Sequence, residues 1–176
     1  MSEGLAFCGR ADPPGEVGPG PVLTFDERFA ATPDQVRKGL MRAMARVRRA
    51  RPDHDPGTLE IVLAEVLNNV AEHAYAGGPA GAVELGLSLS GGTVDCTVCD
   101  RGAPLPRHLL DPPAVAAEGP DASPADAGLP VIADELPEGG FGWQLIHALA
   151  ENLRYARREG CNHLAFSVTL GPGQRG

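Results

Sequence analysis

Apolar residues recur along this chain with two periods, and each change of period marks an element. Val22 to Phe29 alternates weakly and predicts a first strand. In Thr32-Pro33-Asp34-Gln35, Thr32 suits a helix cap, Pro33 the first helical position, and Gln35 the third position of a capping box. The helix so opened is expected to run to about Arg51, before Pro52, with Val36, Leu40, Met44 and Val47 on one face. Asp55-Pro56 starts a second helix by the same logic. Leu59, Val62, Leu63, Val66, Leu67 and Val70 carry it to about Tyr75, and Gly77-Gly78 ends it. Period two then returns: Val83 to Leu89 alternates, Gly91-Gly92 turns the chain, and Thr93 to Cys99 forms the return strand. Trp143 to Leu149 reads as a third helix. Asn152–Arg158 and His163–Leu170 form a last hairpin turning at Glu159-Gly160. The order β-α-α-β-β-loop-α-β-β predicts an α/β fold: a two-layer sandwich, with a mixed sheet and helices on one face.

Composition sharpens the boundaries. A length of 176 residues fits one domain. Pro13, Pro14, Gly15, Gly18, Pro19 and Gly20 leave little to pack, so residues 1–20 are expected to be a flexible arm and 21–172 the folded domain. A second Pro/Gly-rich stretch covers about 103–138, with acids at Asp111, Glu118, Asp121, Asp126, Asp134, Glu135 and Glu138 and no Lys or Arg between His108 and Glu138. A loop of that length inside a domain is either a solvated insertion or a functional lid. The first helix is basic on its outer side (Arg37, Lys38, Arg42, Arg46, Arg48, Arg49, Arg51). That face is either solvated or a docking surface for something acidic, this chain's own loop included. The net charge of −8 argues against nucleic acid or an anionic membrane as partner. With no long apolar run, no signal-like start and four cysteines, too few for a disulfide scaffold, a cytoplasmic protein is expected.

Three short motifs carry candidate chemistry. On the second helix, Glu65, Asn69 and His73 are spaced four apart and share one face of an otherwise apolar segment. Such a stripe must be solvated, mutually bonded or bound to something. At the end of a central strand comes Asp100-Arg101-Gly102-Ala103-Pro104, either a simple turn or a carboxylate placed to accept from an amino group such as adenine N6. Gly139-Gly140-Phe141-Gly142 leads directly into the third helix, where backbone N–H groups and the helix dipole favour an anion.

Together and in this order, the three motifs resemble the N, G1 and G2 boxes of the ATPase superfamily of gyrase, histidine kinases, the ninety-kilodalton heat-shock chaperone and MutL. The resemblance is closest to the RsbW-like anti-sigma-factor serine kinases. It rests on Glu65-x-x-x-Asn69-x-x-x-His73-Ala74-Tyr75, Asp100-x-Gly102-x-Pro104 and Gly139-Gly140-Phe141-Gly142-x-x-Leu145-Ile146. It implies a Bergerat-type histidine-kinase-like fold that binds ATP and Mg²⁺. Glu65 would be the general base and Asn69 the Mg²⁺ ligand; His73 would lie near the phosphates, Asp100 and Gly102 at adenine, and Gly140, Phe141 and Gly142 at the phosphates. The segment 103–138 would be the ATP lid, and any basic phosphate clamp would come from Arg101, Arg107 or a second subunit. The implied activity is phosphorylation of a Ser or Thr on a STAS-type anti-anti-sigma protein by a homodimer that also sequesters a sigma factor. The alternative is a nucleotide-gated interaction module that binds ATP or ADP and partners without efficient phosphotransfer. The resemblance assigns no residue from Gly160-Cys161-Asn162.

Rival chemistry is weaker. Cys96 and Cys99, three apart in a strand, point to opposite faces and cannot share a metal. Trp143 and Phe141 read as packing residues around the third motif rather than a stacking platform for a base.

Overall fold

The computed structural model describes residues 23–110 and 140–173. The expected arm, residues 111–138 of the expected lid, and Gly139 lie outside the described residues. The chain forms β1 (Leu23–Ala30), α1 (Pro33–Ala50), β2 (His54–Asp55), α2 (Gly57–Asn69), β3 (Ala82–Ser90) and β4 (Thr93–Asp100). After the undescribed stretch come α3 (Gly140–Leu149), β5 (Glu151–Arg158), β6 (Cys161–Thr169) and β7 (Gly171–Pro172). The main sheet runs β1-β3-β4-β6-β5, and β2 and β7 form a small second sheet.

The α/β two-layer architecture is as expected, but the sheet is antiparallel at every pairing rather than mixed. The cause lies in the last hairpin. The crossover through α3 brings β5 in parallel to β4, yet β6 folds back between them and converts both contacts to antiparallel ones. On β3 and β4 the buried positions alternate, with Val83, Leu85, Leu87 and Leu89 facing the same layer as Val94, Cys96 and Val98. Against that face α1 packs Val36, Met44 and Val47, and α2 packs Leu59, Val62, Leu63, Val66 and Leu67, all within one core. Each such apolar side chain contributes about 1.5–3 kcal/mol on burial, so this seam holds the helices to the sheet.

Three local details depart from expectation. Thr32 caps α1 through its carbonyl, which accepts from the Val36 N–H. Its side chain makes no capping bond, and the Gln35 amide donates to Asp34 instead, so the capping box is not formed. Pro56 precedes α2 rather than opening it, while Asp55 Oδ1 accepts from the Gly57 N–H at 2.9 Å. The α-helical bonds of α2 end at Asn69, and Val70–Ala74 continues as one π-helical turn, a widening often found at functional sites.

The basic side of α1 is largely answered within the domain. Lys38 pairs with Asp34 at 2.7 Å, Arg42 with Glu27 and Arg48 with Glu60, while Arg46 lies over the Phe25 ring. Among the described residues no helix is long and apolar enough to cross a membrane.

Candidate nucleotide site

A cleft of about 430 Å³ opens where α2 ends beside the sheet. Val66, Asn69, Val70, His73 and Ala74 line one wall, Val98, Asp100, Tyr155, Asn162 and Leu164 the sheet side, and Ala103–Pro106, His108, Leu109 and Trp143 the rest. Its lining is mostly apolar with a few convergent polar groups, the usual build of a small-molecule site.

Strand alternation places Asp100. It continues the inward row Val94, Cys96, Val98, so a carboxylate occupies the last core-facing position of β4, only 6% exposed. Its register partners are Val83 on β3 and Asn162 on β6. Burial raises the Asp100 carboxyl above its ordinary range. Donors from the Gly102 N–H and the Asn162 amide, then the charges of Arg157 and His163, act in the opposite direction. Both donors reach the same oxygen, Oδ1, at 2.7 and 2.9 Å. Gly102 is required by close approach: a Cβ there would lie 2.6 Å from the Ala74 Cβ, and the next residue, Ala103, donates its N–H to the Ala74 carbonyl. The exit of β4 is thereby stitched to the end of the π turn.

Sequence reasoning did not assign Asn162, Tyr155 or Arg157 to the site. Asn162 donates to Asp100 Oδ1 and to the Ala103 carbonyl, both at 2.9 Å, and its own oxygen accepts from Tyr155 (2.8 Å) and Arg157. The signal was weak, an Asn just before the expected strand His163–Leu170, and only the structure includes it in β6, where Asn is depleted. Its meaning depends on β6 lying beside β4, a pairing the sequence does not disclose.

At the other end, Glu65 and Asn69 stand one turn apart on α2, facing α3 at Gly142. A Cβ on Gly142 would fall 2.5 Å from Glu65 Oε2 and 3.8 Å from Asn69 Nδ2, so glycine there makes room for the carboxylate. The Asn69 amide nitrogen is buried without a hydrogen-bond partner among the described residues. Such an orphan costs about 1–3 kcal/mol, which a ligand would offset. An amide turned end for end puts its oxygen at the same spot, so the position also fits a hard cation.

The remaining expected site residues are scattered around these two ends. His73 lies in the π turn, exposed but lining the cleft. Gly140 is the first residue of α3. Phe141 is 56% exposed and does not line the cleft, and neither does Glu65, which borders it through Asn69. Trp143 is buried in the core and forms part of the cleft wall, as a packing residue should. Arg101 and Arg107, the proposed clamps, are both exposed. Cys96 joins the main core while Cys99 faces the other side of the sheet beside His163, so the two thiols do not converge. Burial, then the nearby Glu84 and Asp100, push the Cys99 thiol up to about 11.

Fold and cleft together describe a two-layer domain with a ligand site at the seam between helix and sheet. Residues 29–168 match the histidine kinase-like ATPase domain family, and the chain belongs to that family. It is 32% identical over 116 residues to the serine/threonine-protein kinase BtrW of Bordetella bronchiseptica, covering 65% of this chain and 71% of BtrW. Among solved structures, the RsbU and RsbW domains of Rv1364c from Mycobacterium tuberculosis align over 89% of this chain at 19% identity, with a TM-score of 0.49. This chain spans 35% of that one.

Proposed function

We propose that this protein is an ATP-dependent anti-sigma factor with serine/threonine protein kinase activity. It phosphorylates a STAS-type anti-anti-sigma protein and sequesters a sigma factor, as a cytoplasmic homodimer. Kinship with a serine/threonine kinase supports the class. The observation that carries the reading is the pairing of Glu65 with the partnerless amide of Asn69 opposite Gly142, at one end of a cleft whose other end offers the Asp100 carboxylate.

Roles follow from those positions. Asp100 accepts from the base, with Gly102 holding the strand exit close. Asn69 would hold Mg²⁺, which would supply charge neutralisation on the phosphates. The start of α3 at Gly140 and Gly142 faces the phosphates with backbone N–H groups, and His73 lies near them. Glu65 takes the proton of the attacking hydroxyl as the γ-phosphoryl group passes to that oxygen and ADP leaves.

Full-length protein, Mg²⁺ and γ-labelled ATP mixed with a STAS-type partner should label the partner. Glu65→Gln should lower that transfer by about 10²–10⁴-fold while leaving ATP affinity within a few-fold. Undiminished transfer by Glu65→Gln would remove Glu65 as the base.

A second reading, a nucleotide-gated binder without efficient transfer, is favoured by one feature: no Lys or Arg lies between His108 and Glu138 to clamp the γ-phosphate. Tight ATP binding with no label on any STAS partner would select it.

A further inference from the structure

We propose that Asn162, fixed by Tyr155 and Arg157, is a positioning residue that makes Asp100 a one-sided acceptor, so that the cleft selects a 6-amino over a 6-oxo purine. The inference rests on the reading of the cleft as an ATP site and assigns what governs its choice of base.

The amide of Asn162 has one allowed orientation. Arg157 only donates and the Ala103 carbonyl only accepts, so the oxygen must face Arg157 and the nitrogen Ala103. The Tyr155 hydroxyl agrees. It accepts from the Leu105 N–H at 3.1 Å, which leaves its proton for Asn162 Oδ1. Asn162 thus makes four hydrogen bonds, two from nitrogen and two to oxygen, and has no capacity left for a ligand. Its effect on a base can only pass through Asp100.

What it does there is directional. Asp100 Oδ1 receives both the Gly102 N–H and the Asn162 amide, while Oδ2 has no hydrogen bond among the described residues. An ionised carboxylate only accepts, so a base presented to Oδ2 must bring a donor. A 6-amino group does so; a 6-oxo group sets its lone pairs against the carboxylate, the mismatch that polar sites reject most strongly. Arg157 extends the network by also donating to the Gly102 carbonyl at 3.0 Å, which holds the loop that supplies the second donor.

The test compares affinities of the full-length protein for ATP and inosine triphosphate by calorimetry between pH 6 and 8.5. Wild type should prefer ATP by about tenfold or more, the size of one charge-assisted hydrogen bond. Asn162→Asp, the same shape with the donor replaced by an acceptor, should bring the ratio to within about threefold, chiefly by weakening ATP. It should also move the acid loss of ATP affinity to higher pH, because a second carboxylate favours protonated Asp100. A residue that merely supported the fold would weaken both nucleotides alike and leave the pH profile in place. A wild-type ratio in Asn162→Asp overturns the proposal. Should that variant not fold, Arg157→Leu, altered at a largely exposed side chain, must lower the ratio in the same direction; an unchanged ratio overturns it equally. Wild-type protein that binds both nucleotides alike defeats this inference alone, whereas one that binds neither defeats the ATP-site reading with it.

Discussion

At the Asp100 end of the cleft, Asn162, Tyr155, Arg157 and the Gly102 backbone hydrogen-bond to one another and to the carboxylate. At the Glu65–Asn69 end, the carboxylate has no hydrogen bond among the described residues and the buried amide nitrogen has none either. The first end is set before a ligand arrives, so little ordering is needed on binding. Under the proposed ATP reading, phosphates and a cation would supply the partners that the second end lacks. Binding and chemistry should therefore separate under mutation, the base end governing affinity and choice of base, the phosphate end governing transfer.

The largest expected effect breaks the base end. Asp100→Asn keeps one oxygen to accept from Gly102 and Asn162 but replaces the free acceptor with a donor, and ATP affinity should fall about 100-fold. The same variant reads out the buried charge. Burial raises the Asp100 carboxyl above its ordinary value of 3.8, so the folded state favours the protonated form. Wild-type stability contributed by this group is present below that value and declines as pH rises through the raised one. Asp100→Asn does not titrate and should lack this slope in unfolding measured against pH. Unchanged ATP affinity would show that Asp100 does not meet the ligand.

The next effect tests the phosphate end without touching the base. In Gly142→Ala the new methyl group would sit 2.5 Å from Glu65 Oε2, the tip of a flexible side chain that can swing away at little cost in stability. Displacing the base is costly to the chemistry, since errors of about 1 Å in such geometry lower rates by up to 100-fold. Transfer at saturating ATP should drop about tenfold, with affinity and melting temperature close to wild type. If affinity fell instead while transfer held, Gly142 would belong to binding and Glu65 would lose its support as base.

The contrast between the two ends also marks what was legible in the sequence. The placement of Glu65 and Asn69 on one helix and of Gly142 at a helix start was readable because it is local: one-turn spacing on a helix and glycines at a helix start. Asp100 and Gly102 were readable as a strand end. Apart from the two-residue strands β2 and β7, which the sequence did not announce, helix and strand existence followed from periodicity, and most boundaries fell within a residue or two. Asn162, Tyr155 and Arg157 were not readable as a site, because their role arises from β6 inserting between β4 and β5. The antiparallel character of the sheet depends on that same insertion. Likewise, period-four spacing predicted one continuous helix to Tyr75, whereas Val70–Ala74 forms a π-helical turn. Local pattern does not encode a pairing between segments some 60 residues apart, such as Asp100 and Asn162.

The smallest expected effect asks whether the two ends are truly separate. Tyr155→Phe removes one donor to Asn162 and one acceptor from the Leu105 N–H, while Asp100, Ala103 and Arg157 still hold the amide. Leu105 is only half-buried, so water can reach its N–H. The loss should be about 1 kcal/mol, a drop of about 2–4 °C in melting temperature. ATP affinity should fall by no more than about fivefold, since roughly 1 kcal/mol corresponds to that factor. The transfer rate at saturating ATP should not change, because nothing in the Tyr155 contacts reaches Glu65 or Asn69. A clear loss of that rate would mean that the base network also sets the position of the phosphates through the Ala74–Ala103 junction. Binding and chemistry would then share one framework along the whole cleft.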